Sequence, residues 1–395
     1  MLKRTLAFLL ALALVCALCP ALGETEPVAR DITSSCKYRL SYNRNDKKYL
    51  FDDRYKTFWR SGEYGWVEIT TPEDDPCYGL YIRWAETMVD IEIQVQDASG
   101  EWVCHQKGPE HKFYNQYIPL DGLTHFRIKS LSGKPHMCIT ELQVLSKGTV
   151  PDFVQQWQPF EGKADMLVLV AHPDDELLFL GGVIPYYRGQ MGKKLIVAYM
   201  SKQPASRKCE LLDGLWLCGV REYPVVSSNL FKDEYSTSLK KVLRMWGEKD
   251  VKGFVASLMR RYQPDVVVTQ DFNGEYGHGA HKACAWAVSQ CISLAADATY
   301  QHRLTEGLEP WQVKKVYIHL YEENRITMDW RQPLDAFGGR TAFDMACEAF
   351  KKHRTQQSGK YQVLDSGKND NRLFGLYYST VGPDEAGGDM FEHLN

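Results

Sequence analysis

The stretch Val168–Gly182, VLVAHPDDELLFLGG, decides how the second half of this chain is read. An apolar run of strand length ends in a histidine, a proline and three consecutive acids, then returns at once to Leu-Leu-Phe-Leu. Adjacent carboxylates repel one another and need a cation, a helix N-terminus or open water. A strand, a tight turn and a helix start in that order put the polar residues at the carboxyl end of a sheet strand, where open α/β folds bind ligands. His172 and Asp175, three apart on the turn, are close enough for an imidazole and a carboxylate to meet one ion. The plainer alternative is a solvated helix start with His172 as a spacer.

A second cluster strengthens the first. Val266–Val288, VVVTQDFNGEYGHGAHKACAWAV, again runs strand, loop, helix, with His278 and His281 three apart at the helix entrance. Alone, such a pair is weak. If both loops open on one edge of a parallel sheet, His172, Asp175 and His281 form an N,O,N triad with positions left for water and substrate, the pattern of a catalytic metal site. Asp271 and Glu275 flank the second cluster and could orient a ligand histidine or stand as solvated acids. His353, in KKHRTQQ, reads as a surface histidine.

The surroundings of the two clusters supply the sheet. MLVLVA, KLIVAYM and PDVVVTQ are strand-like, while Arg207–Val220, Ser238–Tyr262 and His281–Ala295 are helix-like. This alternation predicts an α/β domain, Rossmann-like, with a mostly parallel sheet covered on both faces. Residues 30–148 differ. IEIQVQ, FRIKSL and ITELQVL alternate with period two between turn signals, which predicts a β-sandwich. The chain is therefore expected to be multidomain, with residues 24–148 as the sandwich, 149–162 as linker and 163–395 as the α/β domain.

A length of 395 residues suits two cores, and apolar and charged fractions of 44% and 25% are those of a globular protein. A net charge of −3 shows no basic excess, so nucleic acid is not an expected partner. Residues 1–23 join a short basic start to an apolar stretch and an ALG cleavage site, which reads as a secretory signal peptide and predicts a secreted or cell-surface protein with no transmembrane helix after cleavage. Export permits disulfides. Cys36, Cys77, Cys104 and Cys138 could make two, while Cys209, Cys218, Cys284, Cys291 and Cys347 sit mostly among apolar residues and read as buried thiols.

Residues from Ala164 to about Asn395 resemble the LmbE/PIG-L family of zinc-dependent de-N-acetylases. The likeness rests on AHPDDE, RKCELLDGLWLCGVRE, PDVVVTQDFNGEYGHGAH, ACEAFKKHRTQ and LFGLYYSTVGPDEAGGDMFEHL, five segments in order. It implies zinc on His172, Asp175 and His281, Asp174 as general base, His278 as oxyanion stabiliser or proton donor, and Arg207 and Tyr276 lining the substrate pocket. The implied partner is an N-acetylated amino-sugar glycan or glycoconjugate, from which acetate is released. The chain departs from the family where many members carry Pro-Asp between the two histidines; here Gly279-Ala280 stand. Iron(II) suits the same donors. The first domain resembles the discoidin, or coagulation-factor C-type, family of galactose-binding-like jelly rolls, through FDDRYKTFWRS (Phe51–Ser61), YGLYIRW and ITELQVLSKG. That resemblance implies a carbohydrate-binding or surface-attachment module with Trp59 in its scaffold. Two rival functions are a glycan-binding surface protein with a degenerate enzyme domain and a non-haem iron oxygenase built on the same triad.

Overall fold

The computed structural model describes residues 26–85, 88–226 and 230–394. The expected signal peptide lies outside the described residues. Among the described residues no helix is long and apolar enough to cross a membrane.

Among the described residues nine strands build the first domain: β1 (Lys37–Leu40), β2 (Trp59–Arg60), β3 (Trp66–Thr70), β4 (Cys77–Trp84), β5 (Ile91–Gln96), β6 (Trp102–Lys107), β7 (Asn115–Leu123), β8 (His125–Ser130) and β9 (Cys138–Leu145). They pair into two antiparallel sheets, β1-β3-β8-β5-β6 and β2-β9-β4-β7, as the period-two pattern predicts. The inward residues, among them Ile82, Ile93, Phe126, Ile128 and Leu142, close one apolar core between the sheets. Trp59 is fully buried and donates from Nε1 to the Tyr42 carbonyl, so it is scaffold. The two disulfides that the first four cysteines could make are not formed among the described residues: Cys36, Cys77 and Cys104 are free thiols. The Cys36 and Cys77 thiols donate instead to the nearby carbonyls of Ile32 and Gly79.

The second domain carries β10 (Met166–Val170), α1 (Asp175–Leu178), β11 (Leu195–Tyr199), α2 (Ala205–Leu217), β12 (Val225–Val226), α3 (Leu239–Trp246), α4 (Glu248–Tyr262), β13 (Val266–Thr269), α5 (Gly279–Ala296), β14 (Lys315–His319), β15 (Arg325–Thr327), α6 (Ala342–Phe350) and β16 (Leu373–Ser379). The sheet order is β12-β11-β10-β13-β14-β16-β15, parallel through β14 and closed by an antiparallel β14-β16-β15 edge. Strands β10, β11, β13 and β14 are buried along their whole length, as expected of a parallel sheet covered on both faces. Two apolar clusters fill those faces. The single helix expected over Ser238–Tyr262 breaks at Gly247, whose φ of 79° an L-residue rarely adopts.

The domains are joined by polar side chains as well as by chain. Asp213 of α2 accepts from Tyr55 Oη (2.6 Å), Gln155 Nε2 (2.6 Å) and Arg83 Nη1 (3.2 Å). Residues 149–162 are packed between the domains, with Val154, Gln155 and Trp157 buried.

Candidate metal centre

Because β10, β11, β13 and β14 run parallel and in register, their carboxyl ends finish abreast and deliver four loops to one edge. Val170 leads into His172, Tyr199 into Ser201–Gln203, Thr269 into the Asp271–His281 loop, and β14 ends on His319. Side chains tie the loops together: Thr269 Oγ1 donates to the Leu169 carbonyl (2.8 Å), Ser201 Oγ to the Ala171 carbonyl (2.7 Å), and the Ala171 N–H to Gln270 Oε1 (2.8 Å).

His172, Asp175 and His281 meet there, all buried, with one ligand atom of each within 4.8 Å of the others. Asp175 Oδ2 lies 3.1 Å from His172 Nδ1 and 3.4 Å from His281 Nε2. The far nitrogen of each imidazole faces a carboxylate: His172 Nε2 lies 3.2 Å from Asp233 Oδ1, and His281 Nδ1 lies 2.7 Å from Glu275 Oε2. With a metal bound, those carboxylates would hold a proton on each outer nitrogen and leave the inner nitrogens free to ligate. His281 Nε2 is buried without a hydrogen-bond partner. A buried unpartnered acceptor beside a carboxylate and a second imidazole fits a divalent cation, and the mixed N,O,N donors suit zinc or iron(II).

Asp174 faces different partners from its neighbour. Its backbone takes φ 112° and ψ −27°, a strained conformation for a non-glycine residue, and its carboxylate turns to Arg207 Nη2 at 3.2 Å. Burial, then the nearby Asp175, push Asp174 well above the usual carboxylate range against the pull of Arg207. Burial would raise Asp175 too, yet His281 and His172 hold it below that range. For His172, burial opposes the charge but Asp175 and Asp233 outweigh it and lift it to about 10. Burial, helped by His172 and His281, pushes His278 down to about 4. The Ala280 N–H donates to His278 Nδ1 (3.1 Å), so the neutral ring carries its proton on Nε2. Tyr276 stands beside both histidines, with ring centroids 5.6 Å from His278 and 5.2 Å from His281. The seven residues expected at the site, Asp174, His278, His172, Asp175, His281, Arg207 and Tyr276, are thus gathered at one edge.

Other residues here were not singled out from the sequence. Asp233 and Tyr235 arrive on the loop before α3, and Tyr235 packs edge-on against His278 at 5.1 Å. Nothing in FKDEYS announces this. His319 ends β14 at the carboxyl edge, directly after Val316, Tyr317 and Ile318, and lies 2.6 Å from Glu275 Oε1. Of the two flanking acids, Glu275 meets His281 Nδ1 at 2.7 Å through Oε2, while Asp271 accepts from the Asn273 N–H in its own loop. His353, expected on the surface, is fully buried 3.7 Å from Glu176, because α6 packs onto α1 and α2.

A mostly parallel α/β sheet whose carboxyl edge holds a buried His-Asp-His set beside a second carboxylate defines a candidate metal centre of the catalytic kind. Residues 167–292 match the family described as PIG-L: GlcNAc-PI de-N-acetylase, and this region of the chain is a PIG-L family domain. The chain is 28% identical over 176 residues to 1D-myo-inositol 2-acetamido-2-deoxy-alpha-D-glucopyranoside deacetylase 2 of Saccharopolyspora erythraea, covering 38% of this chain and 63% of that protein. It is 24% identical over 148 residues to the probable N-acetylglucosaminyl-phosphatidylinositol de-N-acetylase of Schizosaccharomyces pombe, covering 38% and 58%. It therefore spans about three fifths of the length of these relatives. For the sandwich, a match is the F5/8 type C domain of a Bacteroides fragilis protein, at TM-score 0.25 and 20% identity, covering 32% of this chain and 99% of that one.

Proposed function

We propose that this chain is an exported, zinc-dependent de-N-acetylase that hydrolyses the acetamido group of N-acetylglucosamine-type sugars in a glycan or glycoconjugate. One observation carries the reading: the buried, unpartnered His281 Nε2 converges with His172 Nδ1 on Asp175 Oδ2 while Asp174 stands one residue away, facing elsewhere. The names of the two curated relatives, both deacetylases of 2-acetamido-2-deoxyglucose derivatives, support the choice of substrate class.

Bound by His172, Asp175 and His281, zinc would acidify water and polarise the acetyl carbonyl. The chain's own groups do the rest. Asp174, raised by burial above the usual carboxylate range, accepts the proton of the attacking water and delivers it to the departing amine. Arg207 holds that carboxylate in place, donating also to the Pro173 carbonyl. His278 presents its Nε2 proton to the oxygen that becomes negative, stabilisation worth a few kcal/mol in sites of this type. Tyr276 and Arg207 flank the sugar. The sandwich serves as the attachment module for a glycan or cell surface.

An acetate-release screen over chitooligosaccharides, peptidoglycan fragments and mucin-type glycans tests the proposal, with zinc or iron(II) added and with chelator. Metal-dependent acetate from at least one class is expected; no acetate from any with a metal-loaded site would sink it.

A further inference from the structure

A cleft of about 990 Å³ lies between the two domains, apart from the metal centre. Its walls come from the outer face of β4 and β9 (Arg83, Glu141), from the connecting segment (Phe153) and from α2 (Asp213, Trp216). Asp213 is six residues along α2 from Arg207, about 9 Å by helix rise, on the turns that face the sandwich. The volume sits at the upper end of the roughly 300–1,000 Å³ range of small-molecule sites.

The lining has a definite chemistry. Five carboxylates face four cations, so neither sign dominates. Arg83 is committed to Asp213 at 3.2 Å and Arg354 to Asp53 at 3.0 Å, so neither guanidinium is free for bidentate recognition of a phosphate. Both arginines lie over Tyr55, 4.9 and 5.0 Å from its centroid, so that ring belongs to the domain clamp. Phe153 is the open ring, 47% exposed, while the half-buried Trp216 is held beside it, with the Arg221 guanidinium 3.8 Å from its centroid and Nε1 donating to the Asp152 carbonyl at 2.8 Å, so it offers the cleft only its remaining exposed surface. Glu141 accepts from the Arg54 N–H at 3.1 Å through one oxygen, and its second oxygen has no partner among the described residues. Burial, with Asp52 and Asp53 nearby, raises Glu141 to about 7, so near neutral pH it can accept from or donate to a hydroxyl. Aromatic faces, planar polar groups and near-zero net charge together recognise a molecule with apolar C–H faces and many hydroxyls.

We infer that this interdomain cleft binds a neutral oligosaccharide, with Phe153 and Trp216 against its pyranose faces and Glu141 on its hydroxyls. This rests on the attachment role proposed for the sandwich and moves the site from the sandwich alone to the junction of the domains, so that a bound glycan is held by both.

The test is calorimetric titration of the full chain with β-1,4-linked glucotriose, mannotriose and maltotriose, none of which carries an acetamido group for the metal centre. One-to-one binding of at least one sugar with Kd below about 1 mM is expected, weakened about tenfold by Phe153→Ala and by Glu141→Gln and kept in His172→Ala. Phe153 is exposed and Glu141→Gln preserves shape, so unchanged thermal transitions will show that both variants are folded. No binding of any trisaccharide, binding indifferent to both substitutions, or binding lost with His172→Ala overturns the inference. Acetate release without trisaccharide binding would defeat the cleft and spare the deacetylase; the reverse would do the opposite.

Discussion

At the scale of single residues, the account turns on carboxylates that differ only in what they face. Glu275 bridges two imidazoles, His281 and His319, at 2.7 and 2.6 Å. Burial would raise it, but those two rings pull it down to about 2. Glu275→Gln can offer an acceptor to only one ring, so zinc affinity measured by chelator competition should fall about 10- to 100-fold. His353 supplies a pH prediction. Burial, with Arg207 near, lowers it to about 3, whereas the unfolded chain takes up the proton near pH 6.5. Its folded value is depressed, so it costs no stability above pH 6.5 and destabilises as pH falls from there towards 3, by up to about 1.4 kcal/mol for each pH unit. Melting curves of wild type and His353→Gln between pH 7 and 4 should converge on acidification; parallel curves would refute the buried neutral ring. The cluster of His172, Asp175 and His281 was legible because metal chemistry calls for those residue types at that spacing. Asp233 and the depth of His353 were not, since both depend on which distant segments fold back onto the sheet.

At the scale of elements, the strands were legible where both faces are buried, since short continuous apolar runs such as MLVLVA, flanked by turn residues, suit a doubly covered sheet. The strained turn at Asp174 and the break at Gly247 were hidden, because backbone conformation at one residue leaves no periodic signal. The glycine that ends the opening stretch now has a use: a Cβ on Gly182 would stand 2.4 Å from the buried Trp330 ring. Gly182→Ala should therefore destabilise the domain by about 1–3 kcal/mol, read by denaturant unfolding. The departure at Gly279 also has a physical reason. Its N–H donates to the Ser236 carbonyl at 2.6 Å, and a Cβ there would lie 2.7 Å from the same oxygen. The loop carrying Asp233 and Tyr235 can approach the histidines only because residue 279 has no side chain. Gly279→Ala should push that loop away and weaken zinc binding in the competition assay, although the substituted residue touches no ligand atom.

At the scale of the whole molecule, the sandwich and the α/β domain share a buried network around Asp213, which the sequence could not announce because its members, Tyr55, Arg83, Gln155 and Asp213, are scattered over 158 positions. Burial raises Asp213 and Arg83 opposes that shift, so the pair is a working part of the interface. Arg83→Ala should cost on the order of 3 kcal/mol and lower the melting temperature, since it leaves a largely buried carboxylate short of its counter-charge. An unchanged melting temperature would show that the domains are merely adjacent. The central claim, however, is that one edge of the parallel sheet holds a catalytic metal with its base alongside, and metal stoichiometry measured beside acetate release for Asp174→Asn and Asp175→Asn tests it most directly. Asp175→Asn should emerge depleted of zinc and inactive, with partial recovery in excess zinc. Asp174→Asn should hold zinc nearly as wild type while its turnover falls by about 10² to 10⁴, unrescued by added metal. Full zinc in Asp175→Asn and none in Asp174→Asn would contradict the account and reverse the two roles.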